Sequence, residues 1–408
     1  MLNYRYTARN PSTGQRVKAE VQAQSEQDAF KLLRKEGLAP IEIKLADSGA
    51  LGLLGSKLNR IKSKDKVLFS RQLSTLINAG LPIVQSLRSV ALQTASKPLK
   101  VVINQIISDV EAGSSLSAAM AKYPRVFNRV YISLIAAGET SGTLDTALER
   151  LADQQEKDAE LISKVRGAMA YPAIVLLVMI GVLTFMLVKV LPQVEILYNG
   201  LPGVSLPLVT RVLLSLSHFV VHYYWVVLII LAVLIVGGSR WARTLGGKRV
   251  IDKFKMKGWP IGSLFMKIYM ARFSRTAATL VASGVPLIQV LEVTSDAVDN
   301  VYIGDSIKRA INQVKGGKSL SDALDGDPNF LPLVPNMLRI GEQSGSMEQM
   351  LGKTADYYER EVDNEIKNIS SLIEPVMMIV LGIVAFTIVA AILLPIYSLA
   401  GTFAGGTI

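Results

Sequence analysis

Apolar residues follow two patterns along this chain of 408 residues, and the first pattern consists of three long, almost uniformly apolar runs. They cover residues 173–192, 219–238 and 376–395. At 1.5 Å per residue, each run would form a helix about 30 Å long, which matches the hydrocarbon core of a bilayer. The pattern therefore predicts three transmembrane helices.

Prolines flank the first and third runs: Pro172 and Pro375 stand before them, and Pro192 and Pro395 stand at their ends. A proline fits the first turn of a helix, where its missing N–H costs nothing, whereas a proline further along bends or stops the helix. We therefore expect both membrane helices to begin at the first pair and to bend or stop at the second.

The second pattern is a helical period of apolar residues, and it fills residues 65–171 and 268–374. It is visible, for example, at Val67, Leu68, Leu73, Leu76 and Ile77. No strand pattern interrupts either segment. Each segment is therefore predicted to form a bundle of about six short helices with its own core, and the last helix of each bundle should lead directly into a membrane helix.

Residues 1–45 alternate between apolar and polar positions, as is typical of a small α+β module. The expected elements are strands at residues 3–9 and 16–24 around a turn at 11–14, a helix that Ser25 caps and that runs to Lys35, and a strand at 39–45. Residues 46–64 are predicted to be a linker with a basic end, and a location on the membrane surface remains an alternative for them.

The two helical segments are copies of each other. Phe69-Ser70-Arg71 returns as Phe273-Ser274-Arg275, 204 residues later. The other repeated motifs are Ala79-Gly80-Leu81-Pro82 with Ser283-Gly284-Val285-Pro286, and Gly113-Ser114-Ser115-Leu116-Ser117 with Gly317-Lys318-Ser319-Leu320-Ser321. Because each copy also ends in a membrane-length run, a helical domain with its anchor has been duplicated.

The most specific repeated motif is Gly-Glu-x-Ser-Gly. Its members are Gly138, Glu139, Ser141 and Gly142 in the first copy, and Gly341, Glu342, Ser344 and Gly345 in the second. We expect the glycines to permit a tight turn between helices, the serines to cap the helix that follows, and the glutamates to accept N–H bonds at the start of that helix. Docking of a partner protein is the alternative role.

The charge distribution predicts the orientation of the chain in the membrane. The net charge is +11, and nearly all Lys and Arg residues lie in residues 1–172 and 240–374. Since basic segments remain on the cytoplasmic side, the N-terminus and both bundles are expected inside the cell. The connection at residues 193–218 and the tail at 396–408 are expected outside. No aromatic and basic reader motif accompanies the charge, so nucleic acid is not an expected partner.

The residue types needed for catalysis are scarce. The chain has no cysteine and only two histidines, His218 and His222, which lack a third metal ligand. Gly316-Gly317-Lys318-Ser319 resembles part of a phosphate-binding loop, but it lacks the first glycine and a preceding strand, so it is predicted to be a helix start. Glu149 and Asp153 are four residues apart on a helix and are weak calcium candidates, with a solvated helix face as the alternative. We predict neither a cofactor nor an enzyme.

Together, these duplicated motifs and the Tyr171-Pro172 and Glu374-Pro375 pairs are similar to those of the type II secretion system protein F family. This family includes the inner-membrane platform proteins of type IV pili. The resemblance covers about residues 65–397, and more loosely the N-terminal module. It implies a mainly α-helical, polytopic membrane protein with two duplicated cytoplasmic bundles, three transmembrane helices and a small N-terminal α+β module.

The resemblance also implies a function and partners. Such proteins are thought to couple a cytoplasmic hexameric ATPase to the assembly of pilin or pseudopilin subunits, alongside inner-membrane alignment proteins, and to self-associate, usually as dimers. In the secretion branch, carboxylates after Gly-Glu-x-Ser-Gly can hold calcium. Glu149 and Asp153 match those positions, whereas the second copy has Gly352 and Asp356. A small oligomeric transporter or channel is the alternative function, although no charged residue lies at the middle of a predicted membrane helix.

Overall fold

The computed structural model describes residues 2–9, 16–23, 26–35, 37, 39–45, 61–199, 208–242, 244–259 and 261–404. The predicted turn at residues 11–14, the cap at Ser25 and most of the predicted linker lie outside these ranges. Contacts divide the chain into two units: residues 1–62 with 96–99, and residues 63–95 with 100–408.

The described residues of the first unit include a three-stranded antiparallel sheet and one helix. Strand β1 (Leu2–Arg9) lies between β2 (Arg16–Ala23) and β3 (Ala39–Leu45), and helix α1 spans Glu26–Lys35. Tyr6 and Ala8 point to the same face of β1, because side chains alternate along a strand, and both pack in a buried cluster with Leu33 of α1. These elements match the strands and helix that the sequence predicts.

A bundle of six helices follows, and all of it except residues 97–99 belongs to the second unit. These are α2 (Ser63–Asn78), α3 (Ile83–Gln93), α4 (Lys97–Glu111), α5 (Leu116–Ala121), α6 (Arg129–Ser141) and α7 (Leu144–Ala168). Gly80 ends the turn after α2 with a φ of +82°, a left-handed conformation that glycine adopts without strain, and Pro82 precedes the first residue of α3. Phe69, Phe127 and Tyr131 pack ring against ring in the core.

A second bundle of six helices repeats this order. Its helices are α13 (Gly262–Ala282), α14 (Leu287–Ala297), α15 (Val301–Lys315), α16 (Leu320–Leu324), α17 (Leu333–Ser344) and α18 (Met347–Ala404). Gly284 and Pro286 repeat the turn of the first bundle, and Phe273 packs against Phe330 in the core. The predicted boundary at residue 268 falls inside α13, which starts at Gly262 and is preceded by one further helix, α12 (Leu245–Lys257).

Four apolar or partly apolar segments connect the two bundles. Helix α8 (Ala170–Phe185) continues through a π-helical turn (Met186–Val190) into α9 (Leu191–Asn199). Helices α10 (Leu208–His222) and α11 (Tyr224–Trp241) follow. The second predicted run, at residues 219–238, is therefore interrupted at Tyr223 and continues as a helix only from Tyr224.

Two helical stretches among the described residues are long and apolar enough to cross a membrane. They lie within residues 144–193 and 347–393. Few of their apolar residues are buried inside the protein, and this exposure separates them from core helices of soluble proteins. The structure thus confirms a mainly helical protein with long apolar helices. A cluster of Met186, Leu191, Leu214 and Ala391 joins the π-helical turn, α9, α10 and α18.

Candidate functional site

The repeated motifs meet where α6 joins α7, and where α17 joins α18. A Cβ on Gly138 would lie 2.6 Å from the Cβ of Ala147 and 3.1 Å from the Cα of Leu144, so only glycine allows this approach of α6 to α7. Gly341 is confined at the equivalent place, although less tightly, because a Cβ there would lie 3.0 Å from the Cα of Met347. The first glycine of each motif therefore sets the distance between two helices.

The last glycine of each motif has a different role. Gly142 and Gly345 end α6 and α17 with φ values of +74° and +67°, in the left-handed conformation. This is the common way for a helix to end, and it allows the chain to reverse into the next helix without strain. The predicted tight turn therefore rests on two glycines with separate physical roles in each copy.

The glutamate of the motif binds a helix start, but not the one that the sequence analysis expected. Glu139 accepts N–H bonds from Leu116 at 2.5 Å and from Ser117 at 3.1 Å, and it also accepts the Ser117 hydroxyl. Both residues begin α5, whereas the expected partner was α7. The carboxylate thus satisfies free N–H groups at the positive end of α5, which is a favourable position for an anion.

The second copy repeats this arrangement. Glu342 accepts N–H bonds from Leu320 at 2.6 Å and from Ser321 at 3.2 Å, at the start of α16. Its carboxylate also accepts a hydrogen bond from the Ser321 hydroxyl at 2.5 Å. The motifs Gly-x-Ser-Leu-Ser and Gly-Glu-x-Ser-Gly are therefore two halves of one structural unit, which we call the glutamate tie.

The motif serines do not cap the following helices, which corrects the prediction. The Ser141 hydroxyl donates to the Ala137 carbonyl at 2.8 Å, and the Ser344 hydroxyl donates to the Ile340 carbonyl at 2.6 Å. Each serine is the last residue of its helix and has helical backbone, so its hydroxyl bonds back to the preceding turn. The residue before α7 is Thr143, and its side chain makes no capping bond.

The arginine of the Phe-Ser-Arg motif joins the first helix of each bundle to the last helix through hydrogen bonds to carboxylates. Arg71 of α2 donates from Nε to Glu156 at 2.7 Å and from Nη2 to Asp153 at 2.5 Å, and both carboxylates lie on α7. The hydrogen bond from Arg71 holds the pKa of Glu156 below its usual value. Arg275 of α13 makes the equivalent bonds to Glu359 at 2.9 Å and Asp356 at 2.5 Å on α18.

These bonds bear directly on the two calcium candidates. Asp153 is an ion-pair partner of Arg71, and Glu149 accepts a bond from Asn78 at 3.4 Å. Within the described ranges, no group of three or more His, Asp or Glu side chains is placed to hold a metal ion. Of the two histidines, His218 lies 2.9 Å from Glu195, and the ring of His222 contacts the ring of Tyr223 edge-on. The loop that resembles a phosphate-binding loop is a helix start, where Ser319 caps α16.

The flanking prolines are placed partly as expected. Pro172 lies in the first turn of α8, as predicted. Pro375 and Pro395, however, lie inside the single 58-residue helix α18, so they neither begin nor end a helix. A long membrane helix tolerates an internal proline, because packing and local adjustment compensate for the lost bond.

Pro192 shows how the first apolar helix continues past its proline. In the π-helical turn, the Leu191 N–H bonds to the Met186 carbonyl, five residues earlier. The next N–H in this pattern would bond to Leu187, but Pro192 has none. The Ser217 hydroxyl of α10 donates to the Leu187 carbonyl instead. The predicted bend or stop at Pro192 takes the form of a π-turn through which the helix continues, and a neighbouring helix stabilises this turn.

The sequence analysis missed the contacts that join the two bundles. Gln154 of α7 is only 4% exposed, and its Nε2 donates to the Thr276 hydroxyl of α13 at 2.8 Å. Leu161 of α7 packs in one cluster with Leu264, Val362 and Ile369 of the second bundle. Local periodicity identifies a buried face but not the helix that covers it, so only the unusual glutamine within an otherwise apolar stripe could have indicated this interface.

Five ion pairs between described residues of the two bundles surround this interface. The shortest contacts join Arg129 to Asp296 at 2.8 Å and Lys164 to Asp363 at 2.8 Å, and a longer one joins Arg272 to Asp158 at 3.8 Å. The two copies thus pack as one assembly through α6, α7, α13, α14 and α18. The arrangement combines fixed helix junctions, inter-helix ties and helices that continue into apolar segments.

Comparison with known proteins identifies the family. The model of type II secretion system protein F matches residues 69–192 and again 273–395, and the N-terminal domain model of the same protein matches residues 1–44. The chain belongs to the type II secretion system protein F family. The family suggested by the sequence motifs is confirmed, and membership also confirms the prediction of a non-enzymatic membrane protein.

The chain is also similar to full-length relatives in two branches of this family. It is 38% identical over 403 residues to a type IV pilus assembly protein PilC of Thermus thermophilus, covering 98% of both chains. A type II secretion system protein F of Pseudomonas aeruginosa is 33% identical and is covered to 99% of its length. A type IV pilus assembly protein PilC of the same organism is also 33% identical.

Proposed function

We propose that this protein is the inner-membrane platform of a type IV pilus or type II secretion machine, and that its work is mechanical. The role as an assembly protein follows from the family and from relatives that match nearly the whole chain. The single observation that supports a mechanical role is α18, in which 58 residues run without interruption from the second bundle into the apolar segment.

The proposed partners are those of the machine. A hexameric cytoplasmic ATPase contacts the helical bundles, and their movement is passed along α7–α8 and α18 to a pilin or pseudopilin subunit in the membrane. Inner-membrane alignment proteins and a second copy of the chain complete the assembly. We favour the pilus branch, because the pilus proteins of Thermus and Myxococcus are 38% and 35% identical to this chain, whereas the secretion proteins of Pseudomonas and Vibrio are 33% and 29% identical.

The proposed topology has three membrane helices. They correspond to α8 with the π-turn, α11 and the second half of α18, with prolines 172, 192, 375 and 395 near the membrane boundaries. The N-terminal module and both bundles lie in the cytoplasm, while the α9–α10 connection and the end of α18 lie outside. This arrangement agrees with the concentration of Lys and Arg in the segments placed inside.

We propose structural roles for the two calcium candidates and for the repeated Gly-Glu-x-Ser-Gly motif. Glu149 and Asp153 hold α7 against α2, because Glu149 accepts a bond from Asn78 and Asp153 pairs with Arg71. Gly138, Glu139, Ser141 and Gly142 and their second copies, Gly341, Glu342, Ser344 and Gly345, hold helix junctions. The external surfaces of these junctions remain open for partner docking.

The mechanical proposal is tested by softening one helix at the membrane boundary. Replacing exposed Ser371 and Glu374 with two glycines should make α18 flexible there, because glycine lowers helix stability by about 1 kcal/mol relative to alanine. We expect the variant to insert in the membrane and to crosslink to its ATPase as the parent does, but to lose pilus assembly or secretion in cells that lack their own copy.

A matched control replaces Ser371 and Glu374 with two alanines, which keep the helix stiff. This variant should assemble pili or secrete at the parental level. Equal activity of both variants would contradict force transmission through α18. Failure of the parent chain to crosslink to any ATPase would contradict the platform role itself.

A further inference from the structure

Helix α12 presents a basic face that the described part of the protein leaves exposed. Arg249, Lys253 and Lys257 recur every four residues, so they lie on one side of the helix, and all three are exposed. No ion-pair partner is found for them among the described residues. Exposed Val250 and Phe254 form an apolar stripe beside them, and Phe254 is 65% exposed. We call these five residues the α12 outer face.

The opposite side of α12 is fixed to the second bundle. Asp252 is buried and accepts the N–H of Val301 at 2.9 Å, which caps α15. Lys248 pairs with Asp299 at 2.8 Å, and Lys255 lies over the ring of Phe265 on α13. Asp252, Lys248 and Lys255 of α12 thus all contact the second bundle. The outer face therefore has no negative charge of its own, and its orientation is fixed by the bundle.

Both ends of α12 are held close to apolar segments proposed to span the membrane. At the first end, Gly247 touches the last turn of α11, since a Cβ there would lie 2.0 Å from the Trp241 carbonyl oxygen. At the second end, the chain passes the exposed ring of Trp259 and enters α13. Leu264 of α13 packs against Ile369, with Ile373 beside them, within two helical turns of Pro375.

We propose that the α12 outer face lies on the cytoplasmic surface of the bilayer and binds the phosphate groups of anionic lipids. This inference rests on the membrane topology proposed above. A helix attached at both ends near the membrane must run along its surface rather than away from it. Basic side chains attract an anionic leaflet, while Val250, Phe254 and Trp259 supply apolar contacts at the level of the headgroups.

Because the chain contains no cysteine, single labels can test this directly. The full-length protein carrying Val250→Cys is labelled with a fluorophore and placed in nanodiscs of phosphatidylcholine, with or without phosphatidylglycerol. Quenching by a headgroup spin-labelled lipid is then measured. We expect strong quenching that increases with phosphatidylglycerol, and that is lost in the anionic discs when Arg249, Lys253 and Lys257 are all replaced by Glu.

Three controls make the result specific. A label at Val233→Cys in α11 reports the topology, and a label at Leu92→Cys in α3 reports an exposed bundle surface that should remain unquenched. The third control replaces exposed Arg125, Lys308 and Arg360 with Glu, which changes the net charge equally and should leave the Val250 label quenched. Free inorganic phosphate should not change the quenching, which separates a lipid headgroup from a soluble anion.

The outcomes are distinct. If Val233 is quenched by a chain-labelled lipid while Val250 resembles Leu92 in every disc, the inference is overturned and the topology stands. If Val233 is unquenched as well, the proposed topology fails first. Shielding of the Val250 label only after a partner protein is added would mean that the outer face docks protein, which also overturns the lipid proposal.

Discussion

At the scale of single residues, the two copies differ in one buried hydroxyl. Ser70 donates to the Lys66 carbonyl at 2.9 Å and contacts the hydroxyl of buried Tyr131 at 3.2 Å. Burial raises the pKa of Tyr131, so this hydroxyl stays neutral. Ser274, the second copy, is fully buried, and its hydroxyl has no partner in the described protein. The same motif residue is therefore satisfied in one bundle and unsatisfied in the other.

This difference predicts opposite effects of one substitution. Ser70→Ala should lower the free energy of unfolding by about 1 kcal/mol, because a hydrogen-bonded hydroxyl is lost and Tyr131 loses its partner. Ser274→Ala should be neutral or stabilising, because it removes an unsatisfied buried polar atom. Thermal unfolding of both variants in the same detergent measures the difference. Equal destabilisation by both variants would show that the Ser274 hydroxyl has a partner.

The Arg71 pairs predict a pH dependence. Since Arg71 holds the pKa of Glu156 below its usual value, the pair stabilises the fold fully above the unfolded pKa, about 4.3, and this stability is lost as the pH falls through the lowered value. Arg71→Met should lower stability by up to about 1 kcal/mol near neutral pH, given the partial exposure of the pair. The difference from the parent should remain constant between about pH 6 and 8 and shrink below about pH 4.

Chemical unfolding across this pH range measures the effect of Arg71→Met. The matched control is Arg88→Met, because Arg88 pairs with Glu111 through a single contact between exposed side chains. Such pairs contribute little to stability, so this variant should follow the parent at every pH. A loss for Arg71→Met that persists unchanged in acid would mean that packing of the arginine stem, rather than its charge, stabilises α2 against α7.

At the scale of elements, the sequence predicted where helices begin and end better than it predicted which helices contact each other. Gly80-Leu81-Pro82 contains the physical causes of a helix end and a helix start, so the α2–α3 turn is encoded within three residues. Glu139 was expected to bind a helix start, and it does. Its partner, however, is α5, 22 residues earlier, because packing rather than chain order brings that helix start close. Tertiary partners of this kind leave no local pattern.

Pro192 is the clearest case of a local rule modified by packing. Proline normally interrupts a helix, since it lacks the N–H and its ring displaces the preceding turn. Here the wider π-turn makes room for the proline ring, and the Ser217 hydroxyl of α10 donates a hydrogen bond to the Leu187 carbonyl. The contact of Glu195 with His218 at 2.9 Å lies close by and joins the same two segments. Neither contact could be expected from residues 172–192 alone.

The π-turn therefore predicts a stability effect at Ser217. Ser217→Ala should leave the Leu187 carbonyl without a donor in an apolar environment, at a cost of about 0.6 to 2 kcal/mol. Ser215→Ala is the matched control on the same helix, because the Ser215 hydroxyl donates to the Arg211 carbonyl of its own helix. Thermal unfolding of the full chain in detergent compares the two. Equal behaviour of the two variants would mean that Leu187 is satisfied without Ser217.

At the scale of the whole molecule, the interface between the copies indicates how the two bundles move. A buried glutamine bond, an apolar cluster and ion pairs around it join α7 to the second bundle. Such an interface resembles a domain core more than a transient contact, since relative motion would expose Leu161 and Gln154 to water. The two bundles should therefore move as one body, and their motion should reach the membrane through two helices at once.

Joining the bundles covalently tests this expectation. Arg129→Cys and Asp296→Cys replace an ion pair across the interface, in a chain that has no other cysteine. Linking the two with a membrane-permeant bis-maleimide should leave pilus assembly or secretion at the level of the unlinked variant, because no relative motion is required. Each single-cysteine variant, treated identically, controls for the reagent. Loss of assembly only in the linked double variant would instead mean that the bundles must separate in each cycle. The repeat would then work as a hinge, and the bonds around Gln154 would have to break and re-form as each subunit is added.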